Sequence, residues 1–575
     1  MRHMVDPRQN CLFDPAESMF SPMAIRMMRN DWQHVFRRAL LKLMPAGKLG
    51  EHFHPVLGCR TKELYGMAGA IFLKEYFHLT IQQAVERCVL DVGWQYALNI
   101  ETMTASMSHA SIERYSKLIA QENLDRDIFE KVTAALIEAL ELDVSRQRLD
   151  STHIQSDMAV FGGTRLMAVT VKRFLVQLKR HQAQFHRQLP AELLERYAPT
   201  ESQMFGHYQG DRHGTRQRIA QDLLWLVSRF AGHKAVTDRS SYKAMQRVLA
   251  EQCDVVEETV AMKKQTQDGS VMQNPSDPQA AYSGHKGSGY SAQIAQTCVA
   301  GNEAQLITAL DVHPANESDQ NKLIPMIDQL DAQGRKPEVL YTDTNYGRDE
   351  NVQGAQERGV DLQSPVGNGG KKEDPDRLTL DDFAINERTE TVECCPNGIV
   401  PLSSRFDPAA GQTRTVMADK DCDGCEFRSG CPIQRMGKRY VLVHTPAKRR
   451  CAARRAEQAT DEFAEHYAIR AGLESVNSAL KRATGLGRLR TRGLQRMRMG
   501  ALLRCAGWNM KRATAALRTR ARKAKIDLAA ALAAAGIAPC ALKSAADRFL
   551  RHFAAVFARL HQLVTPTTTL HRAAA

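Results

Sequence analysis

Through the first 140 positions the apolar residues recur every three or four places. SPMAIRMMRNDWQHVFRRALLKLM, TKELYGMAGAIFLKEYF and DIFEKVTAALIEALEL each gather their apolar side chains along one stripe of a 3.6-residue turn, so residues 1–140 read as a helical amino-terminal domain. Within it, SHASIERYSKLIAQ begins with two capping candidates, Ser108 and Ser111, and carries Arg114 and Lys117. It reads either as an ordinary solvated helix or as one laid on nucleic acid. The stretch RQRLDSTHI, ending near residue 154, reads as a short strand. Helical spacing then returns in LMAVTVKRFLVQLKRHQAQFHRQL and RQRIAQDLLWLVSRFAG.

After residue 280 the pattern changes again. GYSAQIAQTCVA and AQLITALDV are rich in strand formers, and Gly301 and Asn302 between them suit a hairpin turn. A helix over SDQNKLIPMIDQLDAQG, the strand VLYTD, a helix over RDENVQGAQERG and the strand VDLQSPV follow. Strand, hairpin, helix, strand, helix, strand is the order of an α/β mixed sheet of ribonuclease H type, with residues 160–275 as a helical insertion after its first strand. Residues 367–450 are irregular and Cys-rich and end in a strand over RYVLVHT. Basic helices begin near 455, and no acidic residue lies between Glu474 and Asp527. The expected divisions are therefore 1–140, 141–366, 367–450, 451–515 and a basic, Ala-rich helical tail over 516–575.

A chain of 575 residues exceeds the roughly 250 to 300 that one core usually serves, which agrees with several domains. The net charge of +14 favours a polyanionic partner, nucleic acid first and an anionic membrane second. The acid-free stretch strengthens the first, because like charges along KRATGLGRLRTRGLQRMRMG and KRATAALRTRARKAK repel unless an anion lies beside them. No run approaches the ~20 apolar residues of a membrane span, and the start lacks a signal-peptide pattern, so a cytoplasmic protein is expected. Five of the 13 cysteines fall between Cys394 and Cys431. Cys422, Cys425 and Cys431, with Cys395 beside Pro396 and near Gly398, are candidate ligands of one structural zinc. Unpaired thiols are the other reading.

Two carboxylates stand out by position. Asp150 lies in the first strand, and Asp343 ends VLYTD just before the polar loop TNYG. Asp157 competes with the first and Asp311 with the second. Carboxylates at strand ends can meet at one Mg²⁺, and a later helix can supply a third. On a continuous helix at ~100° per residue, Tyr467, Arg470, Glu474 and Lys481 fall within an arc of about 60°. Arg470 and Glu474 can equally well form a simple surface pair.

The spacing Tyr-x2-Arg-x3-Glu-x6-Lys resembles the signature of a large branch of bacterial insertion-sequence transposases of the DDE type. LDSTHI resembles that family's first-aspartate strand, and YTDTNYG its second-aspartate strand and loop. The resemblance spans about residues 10 to 510. It implies a ribonuclease H-like catalytic domain in which Asp150, Asp343 and Glu474 hold two Mg²⁺ or Mn²⁺ ions. It further implies DNA contacts from Tyr467, Arg470 and Lys481, end-binding by the amino-terminal domain, and cleavage and joining of double-stranded DNA by a homodimer associated with the nucleoid. An inactive transposase-derived repressor and a metal-dependent nuclease without joining activity are the alternatives.

Overall fold

The computed structural model of the protein describes residues 1–7, 19–101, 105–200, 211–256, 259–263, 269–367 and 377–535. The part of the expected tail beyond residue 535, and stretches of the expected 160–275 insertion, lie outside the described residues. The chain forms two compact units. One comprises Met1–Asp143, Gly301–Leu306 and Leu502–Ala575; the other comprises Val144–Ala300 and Ile307–Ala501. No helix among the described residues is long and apolar enough to cross a membrane.

In its described residues the first unit is helical, as the spacing predicts. Helix His109–Gln121 starts at Ser108, whose side chain accepts from the Ser111 N–H at 3.2 Å. Arg114 on this helix lies over the Phe53 ring, 5.0 Å from its centroid, so part of its role is packing. Helix Leu64–Tyr76 is capped by the Glu63 carboxylate, and it carries Glu75 into an ion pair with the deeply buried Arg504. Burial alone would raise the Glu75 carboxyl; Lys74 and Arg504 outweigh it and hold the group down at about 2.

The second unit is built around a mixed sheet. Its strands are β1 (Arg146–Ile154), β4 (Ala281–Ser283), β5 (Gly287–Thr297), β6 (Ile307–Pro314), β7 (Val339–Tyr341) and β8 (Asp361–Gln363); a separate hairpin, β2 (Cys253–Val256) with β3 (Thr259–Met262), precedes β4. β5 runs antiparallel to β1, β4 and β6, whereas β7 lies parallel to both β1 and β8. One face is covered by helices Leu323–Ala332 and Asp349–Glu357, which bury Leu149, Leu340 and Leu362 with Ile327 and Ala355. This mixed α/β arrangement is compatible with a ribonuclease H-like core.

Between β1 and β4 the chain forms helices Gly163–His181, Arg212–Phe230 and Ser240–Gln252 with a core of their own, in which the Phe174 ring lies 5.6 Å from Phe230 and 6.2 Å from Tyr242. Later in the chain come the short pair β9 (Ala384–Ile385) and β10 (Val392–Cys394) and a sheet ordered β11 (Ser403–Asp407), β12 (Gln412–Met417), β14 (Arg439–His444), β13 (Gln434–Met436).

Two expectations differ from the structure. The strands β5 and β6 pair as predicted, but Gly301 and Asn302 do not close a tight turn between them: nine residues separate Thr297 from Ile307. Asn302 instead uses its amide on Asp143, accepting from the backbone N–H at 2.9 Å and donating to the carbonyl at 2.8 Å. The helix expected to carry the whole tetrad is also broken. Asp461–Tyr467 is α-helical, Ala468–Ala471 tightens to a 3-10 turn, and Gly472–Thr484 resumes the α-helix.

Glu75→Gln is expected to destabilise the protein by about 3 to 5 kcal/mol at neutral pH, because the buried Arg504 charge loses the carboxylate that offsets it. The Glu75 carboxyl is depressed on folding, so its contribution is present above the ordinary 4.5 and lost as pH falls towards 2. Denaturant unfolding of the two chains across that window should show their difference shrinking with acid.

Candidate functional site

The register of two parallel strands places the first two carboxylates. β1 pairs with β7 through Arg146 with Val339, Gln147 with Leu340 and Arg148 with Tyr341. Continued by two residues, the same register sets position 150 beside 343, at roughly the ~4.8 Å spacing of neighbouring strands. Both fall on the face opposite Leu149 and Leu340, because side chains alternate along a strand. β7 ends there because Asp343 turns to capping: its carboxylate accepts from the Asn345 N–H at 2.9 Å and opens the 3-10 turn Thr344–Tyr346.

Helix Gly472–Thr484 lies over this face. Asn477 directs its amide at Asp150 Oδ2, 3.4 Å away, and Arg470 reaches the same oxygen at 3.5 Å. The other arm of the Arg470 guanidinium holds Glu474 at 2.8 Å, so one cation bridges the first strand carboxylate and the helix carboxylate. Asp150 is 9% exposed, whereas the Glu474 side chain is 67% exposed. Burial raises the Asp150 carboxyl, Arg470 and the Ser151 N–H oppose it, and the negative charges of Asp343 and Glu474 raise it further. The three carboxylates thus share one electrostatic environment. Among the described residues, however, no group of three or more His, Cys, Asp or Glu side chains is drawn together closely enough to hold a metal ion in this arrangement.

The remaining tetrad members flank the same place. Tyr467 donates from its hydroxyl to the Thr342 carbonyl at 2.7 Å and stacks on Phe463, so here it braces the strand end beside Asp343. Burial pushes the Tyr467 hydroxyl up to about 12. The Lys481 ammonium is lowered by burial and by the charge of Lys286, with Asp150 opposing.

The two competing aspartates are not gathered here. Asp311 pairs with Gln293 on β6, two strands from β1 and on the opposite face from Asp150. Asp157 lies beyond the end of β1, exposed and beside Arg492.

Several residues that position the site carry no motif. Buried Arg148 fixes the 3-10 turn of the tetrad to β1 by donating to the Ile469 carbonyl at 2.9 Å, while Gln296 receives its other donors. Gly472 makes this possible, because a Cβ there would collide with the Arg148 guanidinium. Asn477 had a weak signal, lying three residues after Glu474 and four before Lys481 on a helix surface.

The cysteines form a second candidate site. Cys395, Cys422, Cys425 and Cys431 line one cavity of about 20 Å³, whereas Cys394 is not among its walls. Cys395 sits in a tight turn: its carbonyl accepts from the Gly398 N–H at 2.8 Å, and Gly398 has φ of +74°. Burial raises the Cys422 thiol to about 11, and the charges of Cys431, Cys395 and Cys425 add to this.

Comparison with known proteins gives one match. Residues 394–514, about a fifth of the chain, match the family model described as a transposase DDE domain. The matched stretch contains the cysteines and the complete tetrad but neither Asp150 nor Asp343. No curated protein and no solved structure shows a significant match. This part of the chain is therefore similar to a transposase DDE domain, which supports a transposase.

Gly472→Ala should displace Arg148 from Ile469 and destabilise the protein by about 1 to 3 kcal/mol through overpacking. The loss should be strongly non-additive with that of Arg148→Ala, because both act on one contact. A four-chain denaturation cycle checks this.

Proposed function

We propose that the protein is a DDE transposase of the branch carrying the Y-R-E-K signature, which binds the terminal inverted repeats of its own element, cleaves at their ends and joins them to target DNA. The observation that carries this reading is the register of β1 against β7, which turns Asp150 and Asp343 towards one face, together with Arg470, which joins Asp150 to Glu474 on the helix over that face. The match of the helix-bearing segment to a transposase DDE domain supports it independently.

The carboxylate set suits divalent cations. Three acidic groups share one field: burial raises the Asp150 carboxyl and the charges of Asp343 and Glu474 add to it, which a hard cation would oppose. Asp150, Asp343 and Glu474 would hold two Mg²⁺ or Mn²⁺ ions. When bound, such ions supply an activated water or DNA 3′-hydroxyl and stabilise the leaving oxygen in an in-line displacement at phosphorus. The protein's own groups provide position and charge. Asp343, fixed by its cap, and Asp150, fixed by Ser151 and Asn477, keep two acceptors side by side. Arg470 is free to exchange its carboxylate partners for a phosphate, and Lys481 offers a second cation to the same backbone. Tyr467 keeps the Asp343 strand end in place.

Cys395, Cys422, Cys425 and Cys431 would bind one structural zinc. The four cysteines line one small cavity, and four thiolates are a donor set suited to a closed tetrahedral site. The helical amino-terminal unit is assigned to element-end recognition, and synapsis of two ends calls for a homodimer.

With DNA carrying the inverted repeats that flank the gene, Asp150→Ala, Asp343→Ala or Glu474→Ala should each lower metal-dependent cleavage at least ~100-fold, the scale of losing one principal electrostatic stabiliser. Undiminished cleavage would remove the site assignment, and cleavage without joined product would identify a nuclease. Metal analysis should find about one zinc per chain, lost in Cys422→Ser. A chain purified without zinc under metal-replete conditions would refute that assignment.

A further inference from the structure

On the sheet face opposite the Asp150 carboxylate lies a partly buried polar chain that links the two aspartate-bearing elements. Its centre is Asp319, at the start of the 3-10 turn Asp319–Lys322. Asp319 Oδ2 accepts from the Ser151 hydroxyl at 2.6 Å and from the Lys286 ammonium at 2.6 Å. Asp319 Oδ1 accepts from the Gln293 amide at 2.8 Å and the Ser291 hydroxyl at 3.3 Å. Gln293 in turn accepts, through Oε1, from the hydroxyl of the fully buried Tyr346.

The two ends of this chain are the two aspartates. Ser151 follows Asp150 and donates its N–H to Asp150 Oδ1 at 2.8 Å. Tyr346 closes the turn that Asp343 caps, and its backbone N–H bonds to the Asp343 carbonyl at 3.1 Å. Every hydrogen-bonding role along the way is defined. Gln293 Nε2 also lies 3.2 Å from His313 Nε2, and His313 Nδ1 lies 3.1 Å from the Pro314 carbonyl, an arrangement that fits the tautomer with its proton on Nδ1; burial lowers this imidazole. Gln293 must therefore direct its NH₂ at Asp319 and His313 and its oxygen at Tyr346.

Four donors from β1, β5 and the β4–β5 turn converge on one partly buried carboxylate. Apolar packing would stabilise a core as well or better, but only directional bonds specify the separation of two strands to a fraction of an ångström. Burial would raise the Asp319 carboxyl; Lys286 and Ser151 outweigh it and keep the group ionised, so the acceptor persists at neutral pH. The β1–β7 ladder sets residues 150 and 343 in register but ends before Asp343 and does not bond the two directly. The polar chain adds a second link between them.

We propose that Asp319, acting through Ser151 on one side and through Gln293 and Tyr346 on the other, is a positioning centre that sets the spacing of Asp150 and Asp343 and thereby their affinity for a divalent cation. This rests on the metal-dependent reading of the site. None of the four residues is assigned a contact with the reacting groups. They act as outer partners that orient ligands, a class whose loss typically weakens metal binding tenfold to a hundredfold.

The test measures Mn²⁺ binding to the full chain by the electron paramagnetic resonance signal of the free ion, beside Mg²⁺ titrations of DNA cleavage and thermal melting. Tyr346→Phe removes only the hydroxyl. It should melt cooperatively, bind the Asp150-dependent Mn²⁺ about tenfold more weakly, and recover cleavage at high Mg²⁺. Paired replacement of Asp319 by Asn and Lys286 by Met avoids a stranded charge and should weaken binding at least as much. Tyr242→Phe loses a buried hydroxyl bonded to the Val227 carbonyl among the helices after β1, and should leave Mn²⁺ affinity unchanged. Wild-type Mn²⁺ affinity in folded Tyr346→Phe and in the folded Asp319 pair overturns the positioning role alone. Absence of any Mn²⁺ binding that Asp150→Ala removes from the wild-type chain overturns the metal reading and this inference together.

Discussion

The parallel pairing of β1 with β7 is the constraint on which the candidate site depends. Three paired positions, 146 with 339 to 148 with 341, decide that residues 150 and 343 leave the sheet side by side and on one face. A slip of one residue would send one carboxylate into the face that holds Leu149, Leu340 and Leu362. Burying an unpaired carboxylate among those side chains would cost several kcal/mol. The hydrophobic alternation of both strands thus guards the register of the acids as well as the core. The third carboxylate needs a separate device, and Arg148 provides it by reaching from β1 to the turn just before helix Gly472–Thr484.

How much of this could be read from the chain follows from how local each feature is. The bounds of β1 were legible because RQRLDSTHI is short and flanked by clear helical periodicity, and the structure gives Arg146–Ile154. In the sequence Asp343 and Asp311 both lie at or near the end of a strand candidate; in the fold Asp311 faces Gln293 within the ladder, whereas Asp343 lies past the last paired residue of β7. The break at Ala468–Ala471 was not legible. Its local residues favour a continuous helix, and the tighter turn accompanies the long-range contact of Arg148 with the Ile469 carbonyl and the close approach at Gly472. The cavity shared by the cysteines was half legible. Cys422, Cys425 and Cys431 are near neighbours in the chain, whereas the choice of Cys395 over Cys394 depends on which way a turn at Gly398 points them.

The Asp319 cluster illustrates why polar positioning residues escape a reading of motifs. Ser151, Lys286, Gln293 and Tyr346 are common residue types spread over almost 200 positions, and only the register of β1 against β5, which sets Ser151 opposite Gln293, brings them together. No periodicity marks them, because each contributes one bond from a different element.

Charge explains why the remaining tetrad residues stand where they do. Three carboxylates within one field repel one another, and in this arrangement Arg470 offsets that repulsion by contacting both Asp150 and Glu474. The contact with Glu474 lies largely in solvent, where an ion pair contributes little, so exchanging it for a phosphate and a bound cation costs little. The contact with Asp150 is more buried and longer, and Asn477 supplies a neutral donor to the same oxygen that would remain after Arg470 turned away. Lys481, lowered by burial and then by the charge of Lys286, is a cation whose charged form an anion would favour. The acids thus gain from a cation and Lys481 from an anion, a charge pattern compatible with the proposed metal-bearing phosphodiester.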